Sequence, residues 1–162
     1  MVTAEIFACP EGIPGEPEAP VCERLFPGLP SQVGEARRWV RAVTGPASGD
    51  IAVLVVSELA TNAIMHSASG RPGGKFAVGV QARTSGVLIY VRDQGRDAAR
   101  DAAGRWAPEN GHGYGLRIVA SLAVVFGATA AAGGPGGELR DPHDPLAAGR
   151  CVWCFLPGEA TR

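Results

Sequence analysis

Between Phe76 and Val91 apolar residues recur at every second position: Phe76, Val78 and Val80 before a Thr84-Ser85-Gly86 turn, Val87, Ile89 and Val91 after it. Strand side chains alternate between faces, so this pattern predicts a β-hairpin with one apolar face that must be covered by other elements. Upstream, Val33, Ala36, Trp39, Val40 and Val43 follow at helical spacing behind a candidate N-cap, Ser31, with Glu35 in the first turn. That predicts an amphipathic helix over 31–44, broken by Gly45-Pro46, and a second helix from about 50 to 67 capped by Ser48 or Asp50. A short strand from Val21 to Phe26 is stopped by Pro27-Gly28-Leu29-Pro30. A third helix is expected from about Gly115 to Phe126, and further strands near 127–132 and 150–156. The order β-α-α-β-β-α-β-β predicts an α+β fold, a two-layer α/β sandwich with a mostly antiparallel sheet and helices on one face.

The 162 residues suit one domain, and 46% hydrophobic against 19% charged residues excludes an ionic disordered polymer. Fifteen basic and sixteen acidic residues give a net charge of −1, so no uniform basic field is available for direct nucleic-acid or anionic-membrane binding. Four cysteines are too few for a disulfide scaffold, and the first residues lack the basic and apolar regions of a signal peptide; cytoplasmic placement is the expectation. Ile118 to Gly137 is uncharged, but its apolar part ends near Ala132 before a Gly/Pro turn, which reads as a buried helix and not a membrane span. The expected organisation is a flexible arm over 1–19, a domain over 20–157 and a tail over 158–162.

Three motifs carry chemistry. Glu58, Asn62 and His66 fall at i, i+4 and i+8 of the second helix. Steps of four residues drift by only about 40° around a helix, so the three share a face. A carboxylate and a carboxamide one turn apart supply hard oxygen ligands for Mg²⁺, or a base for a nucleophile, while a solvated polar stripe gives the same spacing. Asp93-Gln94-Gly95 ends the second hairpin strand, as an ordinary strand exit or as a carboxylate placed for a ligand amine. Gly111-His-Gly113-Tyr-Gly115-Leu116 opens the third helix, as a plain flexible loop or as a backbone cradle for phosphate at a helix N-terminus. Cys151 and Cys154 lie i, i+3 in an expected strand, where they point to opposite faces and make a poor metal or redox pair.

In this order the motifs resemble the nucleotide-binding domain of the gyrase, heat-shock chaperone, histidine-kinase and mismatch-repair ATPase superfamily, and most closely its stand-alone bacterial anti-sigma-factor serine/threonine kinases. Glu58-Leu-Ala-Thr-Asn62-Ala-Ile-Met-His66 resembles the N box, Asp93-Gln-Gly95 the first glycine box and Gly111-His-Gly113-Tyr-Gly115-Leu116 the second. The resemblance extends over about residues 20–157 and implies a Bergerat-type ATP-binding fold.

It also implies roles. Asn62 would bind the Mg²⁺ that bridges the ATP phosphates, and Glu58 would be the catalytic base. Asp93 would receive the adenine amino group beside Gly95, and Gly111, Gly113, Gly115 and Leu116 would form the lid and phosphate cradle. The implied partners are an anti-sigma-factor antagonist and a sigma factor, with room for a homodimer; a non-catalytic ATP-dependent binding module is the rival. The chain departs from the family pattern at Asp97, where a second glycine is usual, and at Cys151, matched to a threonine near the adenine. His112 and Tyr114 stand where stand-alone kinases often carry an arginine, a charge that Arg105 or Arg117 would have to supply.

Overall fold

The computed structural model describes residues 20–96, 119, 123, 125–130 and 143–158. Five strands form one sheet: β1 (Cys22–Pro27), β2 (Lys75–Arg83), β3 (Gly86–Asp93), β4 (Val125–Ala130) and β5 (Arg150–Pro157). Their order is β1-β2-β3-β5-β4, with every neighbouring pair antiparallel. The helical run α1 (Gln32–His66) is interrupted at Gly45, whose φ of 71° and ψ of −174° are not helical, so it is two helices joined at the expected Gly45-Pro46 break. The hairpin forms as its alternation requires, with Arg83 facing Gly86 across the Thr84-Ser85 turn. The α+β architecture with a two-layer arrangement is therefore the one the patterning calls for.

The inner face of the sheet carries Phe76, Val78, Ile89 and Val91, buried against Val55, Val56, Leu59 and Ala60 of α1. Small alanines on that helix face, Ala52, Ala60 and Ala63, bring α1 down onto the sheet and draw its C-terminal end close to the end of β3.

The outer face is built differently. Glu23, Gly79, Tyr90, Trp153 and Gly127 are successive register partners in a single row across all five strands. Tyr90 lies over Gly79, where a Cβ would come within 1.9 Å of the ring, and its hydroxyl donates to Glu23 Oε2 at 2.7 Å. Trp153 lies over Gly127 in the opposite direction. Both rings are fully buried, and the two glycines are what let them lie flat.

One boundary differs from expectation. The sequence pattern carries the third helix to Phe126, but β4 begins at Val125; the last helical hydrogen bond among the described residues runs from Ala123 N–H to the Val119 carbonyl at 2.9 Å. The β-branched and aromatic residues at 125–126 pair with β5 instead of extending the helix.

Candidate functional site

The end of α1 is stitched to the exit of β3 by small polar residues. Ser67 Oγ donates to the Ala63 carbonyl at 2.6 Å, closing the helix, and accepts from Ser69 N–H at 3.0 Å. Ser69 Oγ then accepts from Gln94 N–H at 2.9 Å, and Ala68 N–H donates to the Gly95 carbonyl at 2.9 Å. These bonds place His66 and Asp93 on either side of one seam. Gly95 turns the chain with a φ of +76°, and a Cβ on Gly149 would come within 1.7 Å of the Asp93 carbonyl oxygen. The approach to β5 therefore passes directly over the end of β3.

Asp93 is the polar centre of this seam. Its Oδ1 accepts from Gly95 N–H at 2.7 Å, and its Oδ2 accepts from Arg150 Nε at 3.2 Å and Nη2 at 3.0 Å. The carboxylate side chain is 2% exposed, whereas that of Arg150 is 43% exposed. A cavity of about 440 Å³ opens beside the pair, lined by His66, Gly95, Arg96, Ala148, Gly149 and Arg150. Both groups bonded to Asp93 lie in its wall, so the carboxylate stands just behind that wall. The volume falls in the range of small-molecule sites.

Glu58, Asn62 and His66 lie on α1 and are each half-buried. His66 reaches the cavity wall. Among the described residues neither Glu58 nor Asn62 takes part in a hydrogen bond or ion pair, so their oxygens are uncommitted. The structure thus joins His66, Asp93 and Gly95 at one site and presents Glu58 and Asn62 along the helix leading to it. Gly111, Gly113, Gly115 and Leu116, with Asp97, Arg105, His112, Tyr114 and Arg117, lie outside the described residues.

Cys151 requires a correction. The family pattern matches it to a residue near the adenine, but it pairs with Arg92 and is buried on the outer face with Tyr90 and Trp153. The residue that faces Asp93 across the sheet is Arg150. A shift of one residue along a strand exchanges the faces, which is why motif alignment alone picked the wrong neighbour. Cys154 falls in the inner core, so the two cysteines point apart as their spacing requires. Burial pushes the Cys154 thiol up to about 12, leaving it protonated and inert at neutral pH. Among the described residues no three His, Cys, Asp or Glu side chains gather to hold a metal ion.

Sequence reasoning passed over Arg150, Ser67 and Ser69. The available signals were a cation opening the last strand and two serines following His66, residue types that are too common in strand starts and helix ends to stand out.

An antiparallel sheet covered on one side by helices, with a carboxylate at a strand end beside a cavity, makes this an α+β domain with a candidate small-molecule site. The histidine kinase-like ATPase domain family model matches residues 26–139, and the chain belongs to that family. ATP binding follows from that membership. No curated protein shows significant similarity to the chain.

Proposed function

We propose that this ATP-binding domain is a serine/threonine protein kinase of the anti-sigma-factor type. Its acceptor is a serine on a small antagonist protein, its second partner a sigma factor, and its setting the cytoplasm. The observation that carries the reading is the pair Glu58 and Asn62: one helical turn apart, half-buried, without partners among the described residues, and on the helix that ends at the cavity.

In this reading Asp93 receives the exocyclic amine of adenine, and Gly95 keeps the backbone close to the base. The carboxamide oxygen of Asn62, without a partner among the described residues, suits a hard cation, so Asn62 is the residue that would hold Mg²⁺. That ion supplies neutralisation of phosphate charge when bound. Glu58 accepts the proton of the serine hydroxyl. The serine oxygen then bonds to the γ-phosphorus as the bond from that phosphorus to the β,γ-bridging oxygen breaks, and ADP leaves. Such transfer needs positioning and charge neutralisation more than covalent help, consistent with a site that joins a helix face to a strand end.

Labelled ATP and candidate antagonist proteins test this. Wild type should transfer label to a serine, and Glu58→Gln should keep ATP binding while transfer falls about 10²–10⁴-fold. The presence of His112 and Tyr114 where stand-alone kinases often carry an arginine favours a second reading, a non-catalytic ATP-dependent binding module. Wild type that binds ATP and its partner tightly yet never labels that partner would replace the kinase with the module.

A further inference from the structure

We propose that Arg150 competes with the purine's exocyclic amine for Asp93 Oδ2 and so sets the affinity of the site for adenine nucleotides. The proposal rests on the reading of Asp93 as the acceptor of that amine. Three observations carry it. First, the two carboxylate oxygens are not equivalent. Oδ1 is engaged by Gly95 N–H, a backbone donor whose residue is itself anchored through its carbonyl to Ala68 N–H. Oδ2 is the oxygen left for a ligand, and both Nε and Nη2 of Arg150 converge on it.

Second, Arg150 is fixed at its backbone and free at its tip. Its Cα is the register partner of Asp93, and its side chain forms part of the cavity wall, so a base approaching Oδ2 meets the guanidinium. At 43% exposure that guanidinium can swing into solvent, where its charge is well hydrated, while the 2%-exposed carboxylate stays in place. Third, a nearly buried carboxylate requires a donor at all times. Arg150 meets that need from the protein, and an adenine amine would meet it from the ligand. The two donors are alternatives because Nε and Nη2 of Arg150 together take up both lone-pair positions of that oxygen.

The test uses adenosine, which carries neither phosphate nor metal, so that salt and charge effects report on the base site alone. Calorimetric titration of Arg150→Gln should give an adenosine affinity roughly two- to fivefold tighter than wild type, the range expected for removing a solvent-exposed ion pair. Adenosine should also bind wild type more tightly at high salt than at low salt, because salt screens the exposed pair, and Arg150→Gln should abolish that dependence. Unchanged or weaker adenosine binding by Arg150→Gln, with binding still lost in Asp93→Asn, overturns the competition and leaves the role of Asp93 standing. Tighter binding of guanosine than adenosine by wild type also overturns it, since Arg150 would then be donating to a 6-oxo group. Unchanged binding in Asp93→Asn removes both the competition and the reading beneath it. If Arg150→Gln does not fold, the wild-type salt series decides, and an affinity that fails to rise with salt overturns the proposal.

Discussion

Arg92 and Asp93 are neighbours on β3, point to opposite faces of the sheet, and each forms an ion pair, yet the two pairs are built for different ends. On the outer face Arg92, with a side chain only 4% exposed, is held by two carboxylates, Glu23 and Asp144. Its Nε donates to Glu23 Oε2 at 3.0 Å, and the same oxygen accepts from the Tyr90 hydroxyl. Burial opposes the charge, but the hydrogen bonds and the charges of Glu23 and Asp144 outweigh it and raise the Arg92 pKa above the ordinary arginine value. On the inner face the order is reversed: the carboxylate is buried and its cation is half in solvent. A buried cation with two anions is a fastener. A buried anion with one loosely held cation is a group whose partner can be exchanged, as a ligand site requires.

The loop before β5 links the two faces. Asp144 accepts from Leu146 N–H at 2.9 Å while it also engages Arg92, and four and five residues later Ala148 and Gly149 form part of the cavity wall. The outer network therefore sets where that wall stands.

The largest effect should come from breaking the fastener. Arg92→Met leaves Glu23 and Asp144 without their cation and should cost about 3 kcal/mol, the lower end for a broken buried ion pair because Glu23 keeps 29% of its side chain in solvent. Denaturant unfolding measures this; a loss below about 1 kcal/mol would erase the distinction between the two faces. Next is Gly79→Ala. Its Cβ would meet the Tyr90 ring, which is tethered to Glu23 and cannot move without losing a hydrogen bond. A loss of about 1–3 kcal/mol is expected in the same measurement. A smaller effect concerns Cys154, whose thiol is held protonated by burial. The unfolded chain releases this proton from about pH 9, whereas the folded chain retains it to about 12, so stability should fall as pH rises through that window. Cys154→Val should flatten the alkaline limb of stability against pH.

The hairpin, the break at Gly45-Pro46 and the shared helix face of Glu58, Asn62 and His66 were legible in the sequence because each depends on local periodicity or a local breaker. What was not legible depends on how distant segments register. Which of Arg150 and Cys151 faces Asp93 is decided by the alignment of β5 on β3, which no local pattern encodes. The outer row needs Gly79 and Gly127 to stand beside Tyr90 and Trp153 on neighbouring strands, a coincidence visible only once all five strands are in register. The serine seam is hidden for the same reason: Ser69 finds Gln94, 25 positions away. The apolar neighbours of Phe126 fit either a helical or a strand period, and pairing with β5 decides for the strand.

The central claim is that Asp93, and not the equally polar Arg92 beside it, belongs to the ligand. ATP titration of wild type and Asp93→Asn by calorimetry tests it most directly. The amide keeps an oxygen for Gly95 N–H but loses the charge that, in the proposed function, receives the adenine amine. ATP affinity should therefore fall by about 1.5–3 kcal/mol, roughly ten- to 150-fold, while the unfolding midpoint moves far less than in Arg92→Met. An unchanged ATP affinity in Asp93→Asn would contradict the account and take the nucleotide away from this end of β3.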